Sequence, residues 1–247
     1  MRNKSKISKD FYYIYGKHPV FAALSNPKRH IQRVLCTEDI FNLNKNLISN
    51  HQYEITNTDS LTRLLGSNHN HQGISANVKS IFSNHIEDID ITTSNCKVAI
   101  LDQVTDPQNI GAIIRSAASF GITAIILPTD NAPDENATIA KTASGALELV
   151  QMVKVTNLRW SIEYLKKHGF WIIGLDGNAK QSSNTKIFSD KIAIILGSED
   201  KGIRRLVKET CDHLVKIPIS SKVESLNVSN AAAILFYLTS LNPKHTD

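Results

Sequence analysis

Three short stretches hold the polar side chains best placed to act on a bound molecule. Residues 106–121 (DPQNIGAIIRSAASFG) contain Asn109 and Arg115, residues 195–202 (ILGSEDKG) contain Glu199, and residues 217–233 (IPISSKVESLNVSNAAA) contain Ser225 and Asn227. A guanidinium can hold an anion through paired N–H groups, and a carboxylate can take up a proton. Ser225, Asn227 and Ser229 stand where a long apolar helix begins and its first backbone N–H groups lack partners. Taken singly, each residue also fits a local role. Arg115 reads as a solvated helix arginine, Asn109 as a polar helix-start residue, Glu199 as a cap for the next helix, and Gly197 as relief for a tight turn. Together they follow three different strands at one edge of one sheet, which is where open α/β folds bind ligands.

The junction from Ile217 through Pro218 to Leu226 offers backbone donors and carbonyls rather than a glycine-rich cradle. No GxGxxG follows a strand and no GxxxxGK[ST] occurs, which argues against dinucleotide and P-loop sites. Ser144-Gly145-Ala146 lacks the nucleophile-elbow pattern of a hydrolase. His69 and His71 have no evident third ligand, so they read as a polar loop and no metal site is expected.

The elements that must position these residues alternate. VAIL (98–101), ITAIIL (122–127), LVQMVKV (149–155), FWIIGL (170–175), IAIIL (192–196) and LVKIPI (214–219) are nearly continuous apolar runs. Strands buried on both faces of a parallel sheet have this pattern. Helices separate them: Asp106 and Pro107 open one that Gly121 closes, and Asn157 opens one that ends before Gly169. Ile110, Ile113, Ile114 and Ala117 form the buried stripe of the first, and Arg115 lies off it. The alternation predicts an α/β domain with an open, doubly wound sheet over 96–247. Residues 11–80 read as a smaller α/β unit, 81–95 as a polar, acidic linker, and 1–10 as a flexible basic terminus.

The 247 residues carry a formal charge of +5 and a sequence pI near 9.0, a mild surplus that suits a polyanionic partner. Cys36, Cys96 and Cys211 match no zinc spacing and fit reduced thiols. No apolar segment is long enough to span a membrane, and a cytoplasmic protein is expected.

In order and spacing the three stretches resemble the signature motifs of the SpoU–TrmH branch of the SPOUT methyltransferases. IYGKHPVFAAL (14–24) and HQGISANVK (71–79) resemble the ends of the RNA-binding domain that precedes the catalytic domain in its 23S rRNA guanosine-2′-O-methyltransferases, so the resemblance covers nearly the whole chain. It implies S-adenosylmethionine as methyl donor, a homodimer, a trefoil knot in the C-terminal sheet, and methylation of a guanosine ribose 2′-hydroxyl in 23S rRNA. It places cofactor contacts at Leu196, Gly197, Ile217, Pro218, Ser225 and Leu226, and catalytic roles at Asn109, Arg115, Glu199, Ser225 and Asn227. A tRNA 2′-O-methyltransferase and a catalytically silent RNA-binding assembly factor are the alternatives. Relatives often carry a glycine shortly after the proline, where this chain has Ser220-Ser221-Lys222, which suggests a stiffer loop.

An arginine titrating above about 12 is a poor base at neutral pH. Arg115 is therefore expected to orient ribose and phosphate while Asn109 and Glu199 fix the arginine and the loops, with Glu199 the more natural proton acceptor. Lys17, His18 and Arg33 are candidate RNA contacts in the first domain.

Overall fold

In chain order the elements are β1 (Phe11–Tyr15), α1 (Lys17–Ser25), β2 (Ile31–Cys36), α2 (Glu38–Leu43), α3 (Lys45–Ile48), β3 (Tyr53–Ile55), α4 (Thr58–Leu65) and β4 (Ile74–Lys79). They continue as β5 (Cys96–Asp102), α5 (Pro107–Ser119), β6 (Ala124–Pro128), α6 (Ala137–Ala143), β7 (Gln151–Val155), α7 (Leu158–Lys167), β8 (Trp171–Leu175) and β9 (Gln181–Ser182). The last are β10 (Lys191–Gly197), α8 (Arg205–Lys208), β11 (His213–Lys216) and α9 (Val228–Ser240). The computed structural model describes residues 11–184 and 188–241. The basic segment 1–10 lies outside the described residues.

The chain forms two compact units. One comprises the described residues up to Ile81 together with Glu135–Glu148, and the other comprises Phe82–Asp134 and the described residues from Leu149 onward. In the first, a four-stranded sheet has the order β1-β4-β2-β3, with β4 antiparallel to both neighbours and β2 parallel to β3. Val20 and Ala23 of α1 and Ile48 of α3 are buried, as are the sheet residues Ile14, Val34, Ile74, Ala76 and Val78.

Glu135–Glu148 joins this unit through Arg29, whose side chain is fully buried. Its Nη1 donates to Glu135 Oε1 at 2.6 Å, and its Nη2 and Nε donate to Glu148 Oε1 at 2.5 and 3.0 Å. Burial alone would lower the Arg29 guanidinium, but the two carboxylates hold it above its ordinary value. Removing either carboxylate would leave a buried cation short of partners, an effect worth about 3–5 kcal/mol.

The second unit is the expected parallel sheet, with seven strands in the order β7-β6-β5-β10-β8-β11-β9. Residues 98–101, 124–127 and 192–196 are essentially inaccessible, as the apolar runs require. On one face Leu158, Ile162 and Leu165 of α7 pack into a core with Val98, Ile100 and Ile195. Ile86 and Ile89 enter the same core, and Ser83 bridges to Val153. The segment read as a linker is thus a packed arm. Its acidic residues hide an apolar pair that the sheet face buries.

α5 and α9 pack together. The ammonium of Lys97 on β5 is buried beneath the end of α9 and donates to Thr239 O at 2.9 Å. Burial pushes Lys97 below its ordinary value. To reach α5 after β11 the chain must return past β8 and β10, because β11 lies two strands beyond β10 in the sheet. That return carries residues 217–227 across the carboxyl edge of the strands.

Candidate functional site

β5 and β10 run in register so that Asp102 faces Gly197, the last residue of each strand. Beyond Gly197 the chain turns sharply: Ser198 bridges to Gly202, whose N–H donates to Ser198 O at 2.9 Å. A Cβ added to Gly197 would stand 2.0 Å from the carbonyl carbon of Gly202, so only glycine fits. Gly202 has φ +64°, a left-handed conformation that glycine adopts without steric cost.

Asp102 is wholly buried and anchors the far end of this loop. Its Oδ2 accepts from the backbone N–H of Arg204 at 2.8 Å, and its Oδ1 accepts from Arg204 Nε at 2.7 Å. Gln103, immediately after, sits at φ +64°, where an L-residue is strained by about 1–2 kcal/mol.

Three of the residues singled out in the sequence converge at the turn. Glu199 Oε1 accepts from Asn109 Nδ2 at 3.0 Å, from Asn227 Nδ2 at 2.6 Å and from the backbone N–H of Val228 at 3.3 Å. Asn227 also donates to Asn109 Oδ1 at 3.0 Å, which closes the triangle. Asn109 reaches it from the first turn of α5, where Asp106 caps Gln108 N–H and Pro107 begins the helix. Asn227 is the N-cap of α9, its Oδ1 accepting from Ser229 N at 2.9 Å and Ser229 Oγ at 2.5 Å. One asparagine therefore caps a helix and joins two other loops.

Beside this triangle lies a cleft of about 260 Å³. Leu196, Gly197, Ile217, Ser225 and Leu226 line it, as does Glu199. Pro218, Asn109, Asn227 and Arg115 are not among the lining residues. Ser225 lies two residues before the N-cap and outside the helix, and β11 ends at Lys216, so Ile217 and Pro218 belong to the loop rather than the strand. Ser220, Ser221 and Lys222 all keep negative φ, so this loop needs no glycine there.

Arg115 stands apart. It is exposed on α5, and among the described residues its side chain makes no hydrogen bond or ion pair. The expected brace from Asn109 and Glu199 onto the arginine is replaced by their bonds to Asn227. His69 and His71 bond to Tyr15 OH (2.8 Å) and Thr62 Oγ1 (3.1 Å).

Sequence reading missed the loop after β8. Leu175, Asp176, Gly177 and Asn178 line the cleft, and Asp176 pairs with Lys208. Burial pushes the Asp176 carboxyl up, but Lys208 and the N–H of Asn178 outweigh it and hold the group below its usual range. The Asp-Gly turn closing the run FWIIGL was the available signal, because it lies at the same edge as the other loops.

The cleft's chemistry suits a nucleoside carrying a positive group. Leu196, Ile217, Ile219 and Leu226 supply apolar wall, and the acids Asp176, Glu199 and Glu224 outnumber the lysines Lys201 and Lys208, the second of which pairs with Asp176.

Comparison with known proteins shows the family. Residues 97–237 match the model of the SpoU rRNA Methylase family, and residues 13–82 match RNA 2′-O ribose methyltransferase substrate binding. The chain is 37% identical over 233 residues to the 23S rRNA (guanosine-2′-O-)-methyltransferase RlmB of Vibrio vulnificus, covering 91% of this chain and 94% of that one. It is 34% identical over 242 residues to the RlmB of Xylella fastidiosa, covering 94% and 96%. Among solved structures, the SpoU methyltransferase AviRb from Streptomyces viridochromogenes, in complex with AdoMet, superposes with a TM-score of 0.82 at 20% identity, covering 96% of this chain and 92% of that one.

Proposed function

Because the chain belongs to the SpoU rRNA Methylase family, we propose that it methylates a guanosine ribose 2′-hydroxyl in 23S rRNA, using S-adenosylmethionine. The observation that carries this reading is the Asn109–Glu199–Asn227 triangle beside a cleft of matching chemistry.

Leu196, Gly197, Ile217, Ser225 and Leu226 would hold the cofactor, with Glu224 nearby to favour a cation. When bound, S-adenosylmethionine supplies a methyl group on positively charged sulfur. The transferring centre loses charge as it reacts, so the protein gains most by alignment and by handling the hydroxyl proton. Arg115, whose side chain has no hydrogen bond or ion pair among the described residues, is available to a ribose–phosphate, whose oxygens a guanidinium binds in pairs. Glu199 is the proton acceptor in this scheme. Its Oε1 is occupied by three N–H groups, and its Oε2 has no partner among the described residues.

The protein is proposed to work as a homodimer in the cytoplasm, where its ribosomal RNA substrate resides. Ile234 and Tyr237 of α9 and its C-cap Leu241 are 38%, 48% and 46% exposed and form one stripe at helical spacing. The Phe120 ring meets Tyr237 edge-on at 5.7 Å. Light scattering should give twice the 27.4 kDa chain mass. The unknotted connections of most folds contrast with the trefoil knot this reading assigns to the loops around the cleft.

Radiolabelled methyl transfer to purified 23S rRNA, 16S rRNA and tRNA, with the labelled nucleotide mapped, tests the activity. Label at a guanosine 2′-oxygen of 23S rRNA is expected. Label on tRNA alone overturns the substrate, and cofactor binding without label on any RNA favours a silent assembly factor.

A further inference from the structure

The sheet of the first unit carries an aromatic and basic cluster that methyl transfer does not use. Tyr13 of β1 and Arg33 of β2 both pair in register with one residue, Asn77 of the central strand β4. Cross-strand partners share a face, so the three stand in a row. The opposite face is that of Ile14, Val34 and Ala76, which are buried.

Arg33 Nη2 donates to Tyr13 OH at 2.5 Å, and the guanidinium carbon lies 5.9 Å from the centre of the tyrosine ring. Since β1 and β2 flank β4, this bond spans β4 above Asn77. Beneath it Asn77 is 2% exposed, and its Oδ1 has no hydrogen-bond partner. Buried acceptors are nearly always satisfied, and an orphan on a sheet face calls for an explanation.

The cover is itself solvent-facing, for the Arg33 side chain is 44% exposed. Along the same face Phe11 packs edge-on against the exposed His30 at 5.4 Å, and Phe11 is in register with the exposed Lys79. Glu54, 63% exposed and 3.9 Å from Arg33 Nη1, is the acid at this cluster. An exposed ion pair of that length holds the arginine only weakly.

We propose that this face is a nucleobase subsite for unpaired RNA. The Arg33–Tyr13 bridge swings aside, a base stacks on Tyr13, and an N–H on the base edge donates to Asn77 Oδ1. Arg33 and Lys79 then meet the flanking phosphates. Unpaired RNA is commonly read this way, by aromatic stacking and by base-edge hydrogen bonds. The inference rests on the reading that the chain acts on rRNA, and it names where the first unit grips that RNA.

Fluorescence anisotropy of the full chain with a labelled oligoadenylate of about 12 nucleotides tests it directly. Tyr13→Ala should weaken binding about 5- to 100-fold, whereas Tyr13→Phe, which keeps the ring and loses only the bridge, should bind as well as wild type or better. Asn77→Leu removes the orphan acceptor, so it should hold or raise Tm while weakening RNA binding about tenfold. An unchanged far-ultraviolet circular dichroism spectrum and a single cooperative melt verify that each variant keeps the first unit folded. Tyr13→Ala and Asn77→Leu proteins with wild-type RNA affinity would overturn the subsite. Absence of methyl transfer by the wild-type protein would overturn the enzymatic reading instead, and the anisotropy comparison decides the subsite in either case.

Discussion

Asn227, at the head of α9, donates its side-chain amide to Glu199 Oε1 at 2.6 Å. The bond links the loop after β10 to the start of the last helix, and Asn109 ties both to α5. Sequence-distant loops at one sheet edge are held in mutual register by three side chains. Glu199 carries the triangle to the wall of the cleft.

Glu199→Gln keeps the size of the side chain and removes the charge. Charge-assisted hydrogen bonds are roughly twice as strong as neutral ones, so the triangle loosens without collapsing. If the carboxylate also takes the ribose proton, kcat falls by about 100-fold or more. Steady-state methyl transfer to 23S rRNA measures this, and a kcat within a few-fold of wild type would leave Glu199 as a brace alone. Asn227→Ala should also cost about 0.5–2 kcal/mol of stability, because it removes the cap of α9.

Gly197 should tolerate no side chain. In Gly197→Ala the new methyl meets the Gly202 carbonyl carbon at 2.0 Å, so the turn that carries Glu199 must move. Overpacking of this kind costs about 1–3 kcal/mol, which in a chain of this size lowers Tm by several degrees. Calorimetry reads the stability, and isothermal titration should show S-adenosylmethionine affinity at least about tenfold weaker. Affinity equal to wild type would mean that this turn does not shape the cofactor site.

Much of this was legible in the residues. The parallel strands declared themselves because burial on both faces leaves no polar alternation to confuse. The ends of α5 and α7 were marked by Asp106 and Asn157, whose side chains do cap them. Other features depend on partners far along the chain. Glu135 joins the first unit through Arg29 and Tyr12, more than 100 residues away, and through Ser80 and the N–H of Ile81, more than 50 away. Ile86 and Ile89 were hidden among acids, and Asp176 gained its meaning from Lys208. Asn109, Glu199 and Asn227 could be nominated from motif order, but their bonding to one another rather than to Arg115 required coordinates.

The thiols should be inert in the folded protein. Burial pushes Cys211 up to about 12 from its ordinary 9.0, and burial also raises Cys36 and Cys96. The unfolded chain therefore loses the Cys211 proton first as pH rises. The stability this confers is complete below pH 9 and is lost between 9 and 12. Iodoacetamide at pH 8 followed by intact-mass analysis should show little adduct on native protein and three adducts after denaturation. Rapid labelling of the native protein would show that the thiols are reached without unfolding.

Arg115 offers the cleanest separation of chemistry from folding. It is exposed and its side chain has no hydrogen bond or ion pair among the described residues, so Arg115→Ala should change stability by no more than about 0.5 kcal/mol. Any loss of activity then reports on substrate rather than on structure. Methyl transfer should fall by about a thousandfold or more, as expected when a charged group that stabilises the reacting centre is lost, while S-adenosylmethionine binding stays near wild type. Arg115→Lys should recover little, because an ammonium cannot reproduce the paired N–H geometry of a guanidinium. Single-turnover methyl transfer and calorimetric titration, run on the same preparations, decide the matter. Wild-type turnover in Arg115→Ala would remove the arginine from the site and leave ribose orientation to Asn109, Ser225 and the triangle around Glu199.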